Sequence, residues 1–288
     1  MKPDPNFDLE SFQNLLSRLI FTPLIQKNNS LVADTSEFQR ILLRESKSNH
    51  YSALGLETYS RSYWYKQLST LQSSLPLVSN LLGLWDFNNV ALRFLSNDSK
   101  CNRDLGDIPE SFFIALQNHF KLKFKSEKKI LFEQALQLDL AWHQLFKNQP
   151  KDSLERPLVP TEQTCFKLKD EYRILQDSFG LWELRFEINS NLEEERAPNA
   201  PSTSRQKYTA NRSPDRWIIM KSAGHTVDWM FINPLNGLFL KLLDGKSLAK
   251  AVDDFSGQLN AEELEFAQKN IHIWIKESLE QNLWDFLL

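Results

Sequence analysis

The spacing of apolar side chains changes along this chain, and the change limits the folds that it can adopt. Before about residue 150, apolar residues recur every three or four positions, which predicts helices. After the charged connector KNQPKDSLERPLVP, Phe166 and Leu168 alternate with lysines, and this period of two predicts half-buried strands. The same alternation recurs at Trp182, Leu184, Phe186 and Ile188. Helical spacing returns at residue 235, so the sequence predicts an α+β fold.

Residues 1–150 form the predicted N-terminal domain, which is expected to be all helical. A long helix is predicted over about residues 54–74, and Pro76 and Gly83 bound a short helix that follows it. The last helix of this domain is predicted over residues 129–146. Almost no strand pattern is present in this half of the chain, so its core should form from helix faces alone.

Residues 160–288 form the predicted C-terminal domain, which begins with a small antiparallel sheet. The segments RWIIMK and TVDWMFINP flank the turn SAGH and predict a hairpin, with Val227, Trp229 and Phe231 on one strand face. Residues 189–214 contain few large apolar side chains and many charged, Pro and Ser residues, and they predict a flexible surface loop.

Three short helices are predicted after this sheet. Residues 235–243 carry apolar side chains on one helical face, and Gly245 supplies the left-handed exit that ends the helix. Ser247 is a suitable N-cap for a second helix, and residues 260–263, Asn-Ala-Glu-Glu, predict a capping box at the start of a third. Such a unit resembles a helix-turn-helix, and it is the expected winged-helix-like part of the C-terminal domain.

Composition restricts the functional classes that this fold can serve. The chain has 34 Lys and Arg residues against 37 Asp and Glu, a formal charge of −3, so no global positive field favours a nucleic-acid partner. The start, MKPDPNFDLESF, has no apolar signal region, and no stretch approaches the roughly 20 apolar residues of a membrane span. A cytoplasmic protein without a membrane partner is expected.

The sequence contains no motif that predicts catalysis or metal binding. Cys101 and Cys165 lie in different halves of the chain and form no C-x-x-C pair. Asp139 and His143 are four residues apart on one helix face and could contact a metal, although the spacing favours a structural pair. Phosphate-binding glycine loops and nucleophile motifs are absent. We therefore expect no catalytic residues, no metal site and no cofactor.

Several segments together resemble a known family. The first half contains the segments LETYSRSYWYKQLSTLQSSLPLVSNLLGLWDFNNVALRFL, LGDIPESFFIAL and LFEQALQLDLAWHQLF. In order and spacing they resemble the N-terminal helical domain of HvfC/BufC-type proteins, which are catalogued as DNA-binding. RWIIMKSAGHTVDWMFINPLNGLFLKLLDGKSLAKAVDDF is similar to the C-terminal domain of that family, which resembles the PqqD-like winged-helix module that recognises precursor peptides. One departure lies at residues 138–141, where many members have Leu-Glu-aromatic-Ala and this chain has Leu-Asp-Leu-Ala.

The resemblance implies a non-catalytic partner of a multinuclear non-heme iron oxidase. Such a partner captures the leader of a ribosomally made precursor peptide and presents the peptide for modification of its cysteines. Methanobactin biosynthesis uses a related pair of proteins. The iron ligands would belong to the oxidase. In the similar modules the leader lies between the third strand and the third helix. Carried over to this chain, the expected peptide-binding residues are Thr226, Val227, Asp228, Trp229, Phe231, Phe266, Asn270 and Ile273.

The third predicted helix carries two apolar stripes, which we interpret differently. Leu264, Ala267, Ile271, Trp274 and Ile275 form the expected core stripe. Phe266 and Ile273 lie off that stripe, so they could form one wall of a peptide groove or pack on the N-terminal domain. Trp229 and Phe231 could equally be core residues of the sheet.

Two further expectations concern partners other than the peptide. Tyr59, Tyr63 and Trp64 spread around one predicted helix, and part of this cluster is expected to dock the oxidase. The competing hypothesis is a winged-helix transcription regulator, which would need free Lys and Arg side chains on its reading helix. The third helix offers Lys269 and Lys276 among several glutamates, which disfavours DNA.

Overall fold

The computed structural model describes residues 9–27, 30–33, 50–97, 106–148, 161, 163–195, 207–224 and 226–287, and it has an α+β fold. The chain divides into two compact units. The first unit contains residues 1–132 and 183–209, and the second contains residues 133–182 and 210–288. This division does not run along the predicted boundary between residues 150 and 160, because each unit combines two separate segments of the chain.

In the described ranges of the first half, the elements are helices and one small strand pair. They are α1 (Leu9–Phe21), β1 (Ile25–Lys27), β2 (Ser30–Val32), α2 (His50–Ser74), α3 (Pro76–Leu82), α4 (Leu84–Asn97), α5 (Ile108–Lys123) and α6 (Ser126–Lys147). The long predicted helix and the short helix after Pro76 are confirmed. Gly83 ends α3 at φ 84°, which is the left-handed region that glycine adopts without strain.

The strand pair corrects the expectation of an all-helical N-terminal domain. β1 and β2 are antiparallel, with Ile25 opposite Val32. Each strand has only three residues, so neither shows an alternation long enough to be recognised in the sequence. Leu24 and Leu31 are buried, and their burial is the contribution of this pair to the core.

The second half combines two three-stranded sheets with helices. Its elements are β3 (Cys165–Leu168), β4 (Tyr172–Asp177), α7 (Leu181–Glu195), β5 (Arg216–Ser222), β6 (Val227–Ile232), α8 (Pro234–Leu243), β7 (Lys246–Ser247), α9 (Leu248–Ser256), α10 (Ala261–Glu280) and β8 (Trp284–Leu287). The sheet orders are β7-β3-β8 and β4-β5-β6, and both sheets are antiparallel. The predicted hairpin is confirmed as β5 and β6.

The predicted strand around Trp182 is wrong, because these residues form α7. The buried positions Leu181, Leu184 and Ile188 recur every three or four residues, as a one-sided helix requires. The carboxylate of Asp177 determines this outcome. It accepts hydrogen bonds from the backbone N–H groups of Phe179 (3.0 Å), Leu181 (2.9 Å) and Trp182 (3.0 Å). A buried carboxylate so placed satisfies amides of the first helical turn that would otherwise lack partners.

The predicted flexible loop over residues 189–214 is corrected at its start, where the helix continues. Residues 189–195 belong to the end of α7, and residues 196–206 lie outside the described part of the chain. The following segment is held by specific contacts, since Lys207 pairs with Asp86 at 2.6 Å and the N–H of Ser213 donates to the carbonyl of Ser178 at 2.8 Å. Its polar composition reflects exposure to solvent rather than a lack of contacts.

The three predicted helices after β6 are confirmed together with their caps. Ser247 accepts a hydrogen bond from the N–H of Lys250, and Asn260 and Glu263 form the predicted capping box at 2.9 and 3.0 Å. Gly245 lies at φ 78° between α8 and β7. Lys246 donates to Asp254 at 2.6 Å, and this hydrogen bond lowers the pKa of the Asp254 carboxyl.

Helix α8 packs against the sheet through a position without a side chain. Phe239, Leu240 and Leu243 of α8 belong to a buried cluster that includes Trp217 of β5. Gly237 lies directly on the Trp217 side chain, and a Cβ atom at this position would overlap the Cβ and Cγ atoms of Trp217. The close approach of α8 to β5 therefore requires glycine. None of the helices within the described ranges is long and apolar enough to cross a membrane.

We predict that Gly237→Ala lowers the free energy of unfolding by about 1–3 kcal/mol, because overlap with Trp217 outweighs the better helix propensity of alanine. Gly55→Ala is the matched control, since Gly55 lies in α2 and a Cβ there would meet no atom within 4 Å. That control should be neutral or stabilising by up to about 1 kcal/mol. Urea unfolding of both variants measures the difference, and equal stabilities would contradict the proposed overlap.

Candidate functional site at a strand edge

The last strand of the β4-β5-β6 sheet leaves one of its edges without a neighbouring strand in the described part of the chain. β6 pairs with β5 in antiparallel register, with Lys221 opposite Asp228 and Ile219 opposite Met230. An edge of this kind presents backbone N–H and C=O groups that another extended chain can bind. The residues of β6 whose backbone groups face outward are therefore candidates for binding.

Two hydrogen bonds fix the direction of the backbone groups in this hairpin. The N–H of Ala223 donates to the carbonyl of Thr226 at 3.0 Å, whereas the N–H of the preceding Ser222 donates to Glu171 at 2.9 Å, on the β4 side. In an antiparallel ladder successive residues alternate in direction. Asp228, Met230 and Ile232 therefore bond to β5, and the backbone groups of the alternate residues, Val227, Trp229 and Phe231, face outward.

On one side of β6, a groove separates the strand from the end of α10. Its volume is about 390 Å³. Tyr172, Ile219 and Met230 provide apolar surface, and Gln281 is fixed at the helix end by two contacts. Its carbonyl accepts from the Tyr172 hydroxyl at 2.8 Å, and its amide nitrogen lies 3.7 Å from the Met230 sulfur. The other lining residues are Lys221, Asp228, Trp229 and Glu280.

The exposed stripe of α10 does not line this groove, to which the end of the helix contributes Glu280 and Gln281. Phe266 and Ile273 are 45% and 40% exposed, whereas Ala267 and Trp274 are buried, as the two-stripe interpretation predicts. Helical spacing places Phe266, Asn270 and Ile273 on the same face as Gln281. Asn270 donates from its amide nitrogen to the Phe266 carbonyl at 2.8 Å, so this side chain is already bound within the helix.

Trp229 and Phe231 lie on the opposite face of β6 from Met230, because side chains alternate along a strand. They are 43% and 38% exposed, so they are not core residues. The Trp229 ring contacts Trp182 at 4.8 Å and Phe231 at 5.4 Å between centroids, and the guanidinium of Arg216 lies 4.9 Å from the Phe231 centroid. The structure thus places the predicted peptide-binding residues of β6 on two faces, with Asp228 on the groove side and Trp229 and Phe231 on the other side, while three further predicted residues lie on α10.

Thr226 and Val227 have different roles from those predicted. The Thr226 hydroxyl donates to the Ala223 carbonyl at 3.3 Å, and its own carbonyl is bonded within the hairpin, so Thr226 belongs to the turn. The Val227 side chain is buried, and only its backbone groups face the open edge. These are corrections to the expected side-chain roles, because the sequence did not reveal where the turn ends.

Sequence reasoning missed much of the groove. Tyr172 lies in β4 and Ile219 lies in β5, whereas Glu280 and Gln281 lie at the end of α10. More than fifty residues of sequence separate Ile219 from this helix end. Met230 lies between Trp229 and Phe231 in the sequence but on the other face of β6, so the predicted aromatic face did not include it. The alternation in Tyr172-Arg173-Ile174 was the one signal that could have predicted β4.

The predicted docking cluster on α2 contains one exposed residue. Tyr59 is 64% exposed. Tyr63 is half-buried and makes an edge contact with Phe21 at 5.5 Å. Trp64 is buried and donates from its indole nitrogen to the Ile20 carbonyl at 2.9 Å. Its predicted docking role is corrected to a structural one, because it holds α1 against α2.

No group of three or more His, Cys, Asp or Glu side chains is placed to hold a metal ion in the ranges that the structure describes. Asp139 and His143 belong to no such group. Cys165 is a half-buried free thiol, and Cys101 and His225 lie outside the described residues.

A scan against protein-family models and a search of curated proteins both found no match for this chain. The resemblance to HvfC/BufC-type proteins therefore rests on the quoted sequence segments.

The outward direction of the β6 backbone can be tested with proline. Phe231→Pro removes an N–H that bonds to none of the described strands, so we expect it to differ from Phe231→Ala by less than about 1 kcal/mol in the free energy of unfolding. Met230→Pro removes an N–H that bonds to β5, so its free energy of unfolding should be at least about 2 kcal/mol lower than that of Met230→Ala. Thermal and urea unfolding of the four variants measure these differences, and the opposite order would reverse the assignment of the edge.

Proposed function

We propose that this protein is a non-catalytic adaptor that binds the leader of a ribosomally made precursor peptide and presents the peptide to a multinuclear non-heme iron oxidase. The oxidase would modify cysteines of the precursor. The observation that carries this proposal is the open edge of β6 beside the groove that ends at α10. This work would take place in the cytoplasm, where precursor peptides are made.

Strand addition is the binding mode that this edge favours. An extended leader would form main-chain hydrogen bonds with the outward-facing backbone groups of Val227 and Phe231, which supply affinity for many sequences. A side chain entering the groove beside Tyr172 and Met230 would select among them. Because the sheet already holds β6 in an extended conformation, the protein loses little conformational entropy on binding.

The order of elements also supports the likeness to winged-helix precursor-recognition modules. The three strands of one sheet, β4, β5 and β6, precede three helices, α8, α9 and α10, with α7 inserted after the first strand, while β3, β7 and β8 form a separate sheet. The groove joins β6 to α10, the third strand and third helix of that series. These are the two elements between which the resemblance implies that a leader lies.

The oxidase would supply the iron and its ligands, and this chain would supply recognition. Tyr59 is the residue of the predicted docking cluster with enough exposed surface to contact such a partner. Large aromatic side chains bury much apolar area at interfaces and lose little conformational entropy. We propose Tyr59, with the exposed rim of Tyr63, as part of the oxidase interface.

The proposal predicts that an iron oxidase and a short precursor reading frame are encoded beside this gene, and it is tested by co-purification with that oxidase and by titration of a fluorescent leader from that precursor. Ile273→Glu should weaken leader binding at least about tenfold, because a leader that follows the exposed stripe of α10 would desolvate the carboxylate at this position. Gln268→Glu places the same charge on the opposite side of α10 and should leave the affinity unchanged. Failure of the wild-type protein to bind either the oxidase or the leader would reject the adaptor function.

Nucleic-acid binding is the second candidate function, and a different surface favours it. The segment KLKFKSEKK, residues 121–129, has five lysines and one glutamate. Lys123, Lys125 and Lys128 are exposed and form no ion pair with any part of the chain that the structure describes. Burial, together with Lys123 and Arg93, lowers the pKa of His119, as expected beside concentrated positive charge.

The predicted reading helix offers no comparable surface. Lys269 pairs with Glu265 at 2.6 Å and Lys276 with Glu280 at 3.7 Å. These neutralised lysines would contribute little to phosphate binding. A nucleic-acid partner would therefore contact the turn between α5 and α6 rather than α10.

If the second function holds, a 20-base-pair duplex should bind with a steep dependence on salt. Replacing Lys123, Lys125 and Lys128 together by glutamine should reduce the slope of log K against log salt by up to about three. The same replacement of the paired residues Lys250, Lys269 and Lys276 is the matched control and should change the slope little. No measurable duplex binding near physiological salt would reject this function.

A further inference from the structure

We propose that a groove between the start of β1 and α4 binds an aliphatic carboxylate, whose anionic head pairs with Arg93 and whose apolar body lies against the opposite wall. The groove belongs to the first unit of the chain and is independent of the proposed adaptor function. Its volume is about 440 Å³, which lies within the range of small-molecule sites.

Helix α4 forms the polar wall of this groove. Asn89, Arg93 and Ser96 line it, and helical spacing places them on one face of α4. The Ser96 hydroxyl donates to the Leu92 carbonyl. The side chains of Asn89 and Arg93 form no hydrogen bond or ion pair with any residue that the structure describes. Two sets of N–H donors at the groove are therefore available to a ligand.

The opposite wall of the groove is apolar. Leu24 and Ile25 come from the start of the small strand pair, and Leu92 extends this apolar lining on α4. Leu24 and Leu92 are buried, whereas Ile25 is 39% exposed. A ligand with an aliphatic body would remove part of this exposed apolar area from water, which is favourable.

The charge of the groove selects the head of the ligand. None of the described residues that line it is acidic, and Arg93 supplies one full positive charge. A guanidinium holds a carboxylate through two parallel N–H···O bonds. Because one guanidinium balances one negative charge, a carboxylate monoanion matches the groove better than a phosphate dianion does.

His119 on α5 provides a reporter of the charge on Arg93. Burial lowers the pKa of His119, and Lys123 on the same helix and Arg93 on α4 lower it further. Among the described residues, these two are the charged groups that act on the imidazole. A carboxylate paired with Arg93 opposes the positive charge, so the pKa of His119 rises on binding. The complex then holds more protons than the free protein, and affinity increases as the pH falls through the titration of His119.

The experiment compares octanoate, octanol and acetate by titration calorimetry of the full chain. Octanoate should bind at least about tenfold more tightly than octanol, which lacks the charge, or acetate, which lacks the aliphatic body. In Arg93→Gln the affinity for octanoate should fall about tenfold while the affinity for octanol stays unchanged. Arg93→Lys should retain part of the affinity, because lysine keeps the charge but not the paired N–H donors.

A second pair of variants tests the apolar wall. Ile25→Glu places a negative charge in the groove and should weaken octanoate binding at least about tenfold. Ile114→Glu is the matched control, since Ile114 is 61% exposed on α5 and does not line the groove, and it should leave the affinity unchanged. In NMR titrations octanoate, but not octanol, should raise the pKa of His119, and this rise should be lost in Arg93→Gln.

Equal affinities for octanoate and octanol, octanoate binding that Arg93→Gln leaves unchanged, or no octanoate binding at millimolar concentration would each overturn the site. N-acetyl-Leu-Leu separates the two sources of an aliphatic carboxylate. Tighter binding of this dipeptide than of octanoate would assign the groove to the C-terminus of a peptide, and weaker binding would assign it to a free aliphatic acid. Because none of these measurements involves the β6 edge, their outcome and the outcome for the adaptor function are separate.

Discussion

The buried carboxylate of Asp177 is the interaction on which the candidate site depends. It ends β4, accepts three backbone N–H groups at the start of α7 and lies 4.0 Å from the guanidinium of Arg216. A fully buried carboxylate without such donors would be strongly destabilising. Burial of Asp177 therefore requires the chain to turn so that these N–H groups reach its carboxylate. This corner places Trp182 against Trp229, and Trp182 in turn supports the aromatic face of the β6 edge.

The two faces of β6 differ because different elements cover them. On the groove side, α8, α9 and α10 bury Trp217 and Ile219 in one apolar cluster, and the close approach of α8 depends on the absence of a side chain at Gly237. On the aromatic side, Trp182 covers part of the sheet. Among the described residues no strand pairs with the outer edge of β6, toward which the main-chain groups of Val227 and Phe231 point. Peptide binding, as proposed, would thus use the edge strand of the sheet.

The parts of this fold that could be predicted are those determined by neighbours in the sequence. The long helix before Pro76 and the capping box of Asn260 and Glu263 follow from spacing, proline and local hydrogen bonds. The strand predicted around Trp182 failed because alternation is ambiguous over so few residues, and the deciding acceptor, Asp177, lies five residues earlier. The exposed positions of Phe266 and Ile273 were predictable, because one helix cannot bury both of its stripes in a small core.

The sequence by itself determined the α+β class, the three capped helices after the hairpin, and the sharing of one strand face by Trp229 and Phe231. Only the tertiary structure decided that β6 is an edge strand and which of its backbone groups face outward. It also assembled the groove from Tyr172, Met230 and Gln281. The physical reason is range: caps and periodicity act within a few residues, whereas an edge and a groove depend on which distant segments pack beside a strand and which do not.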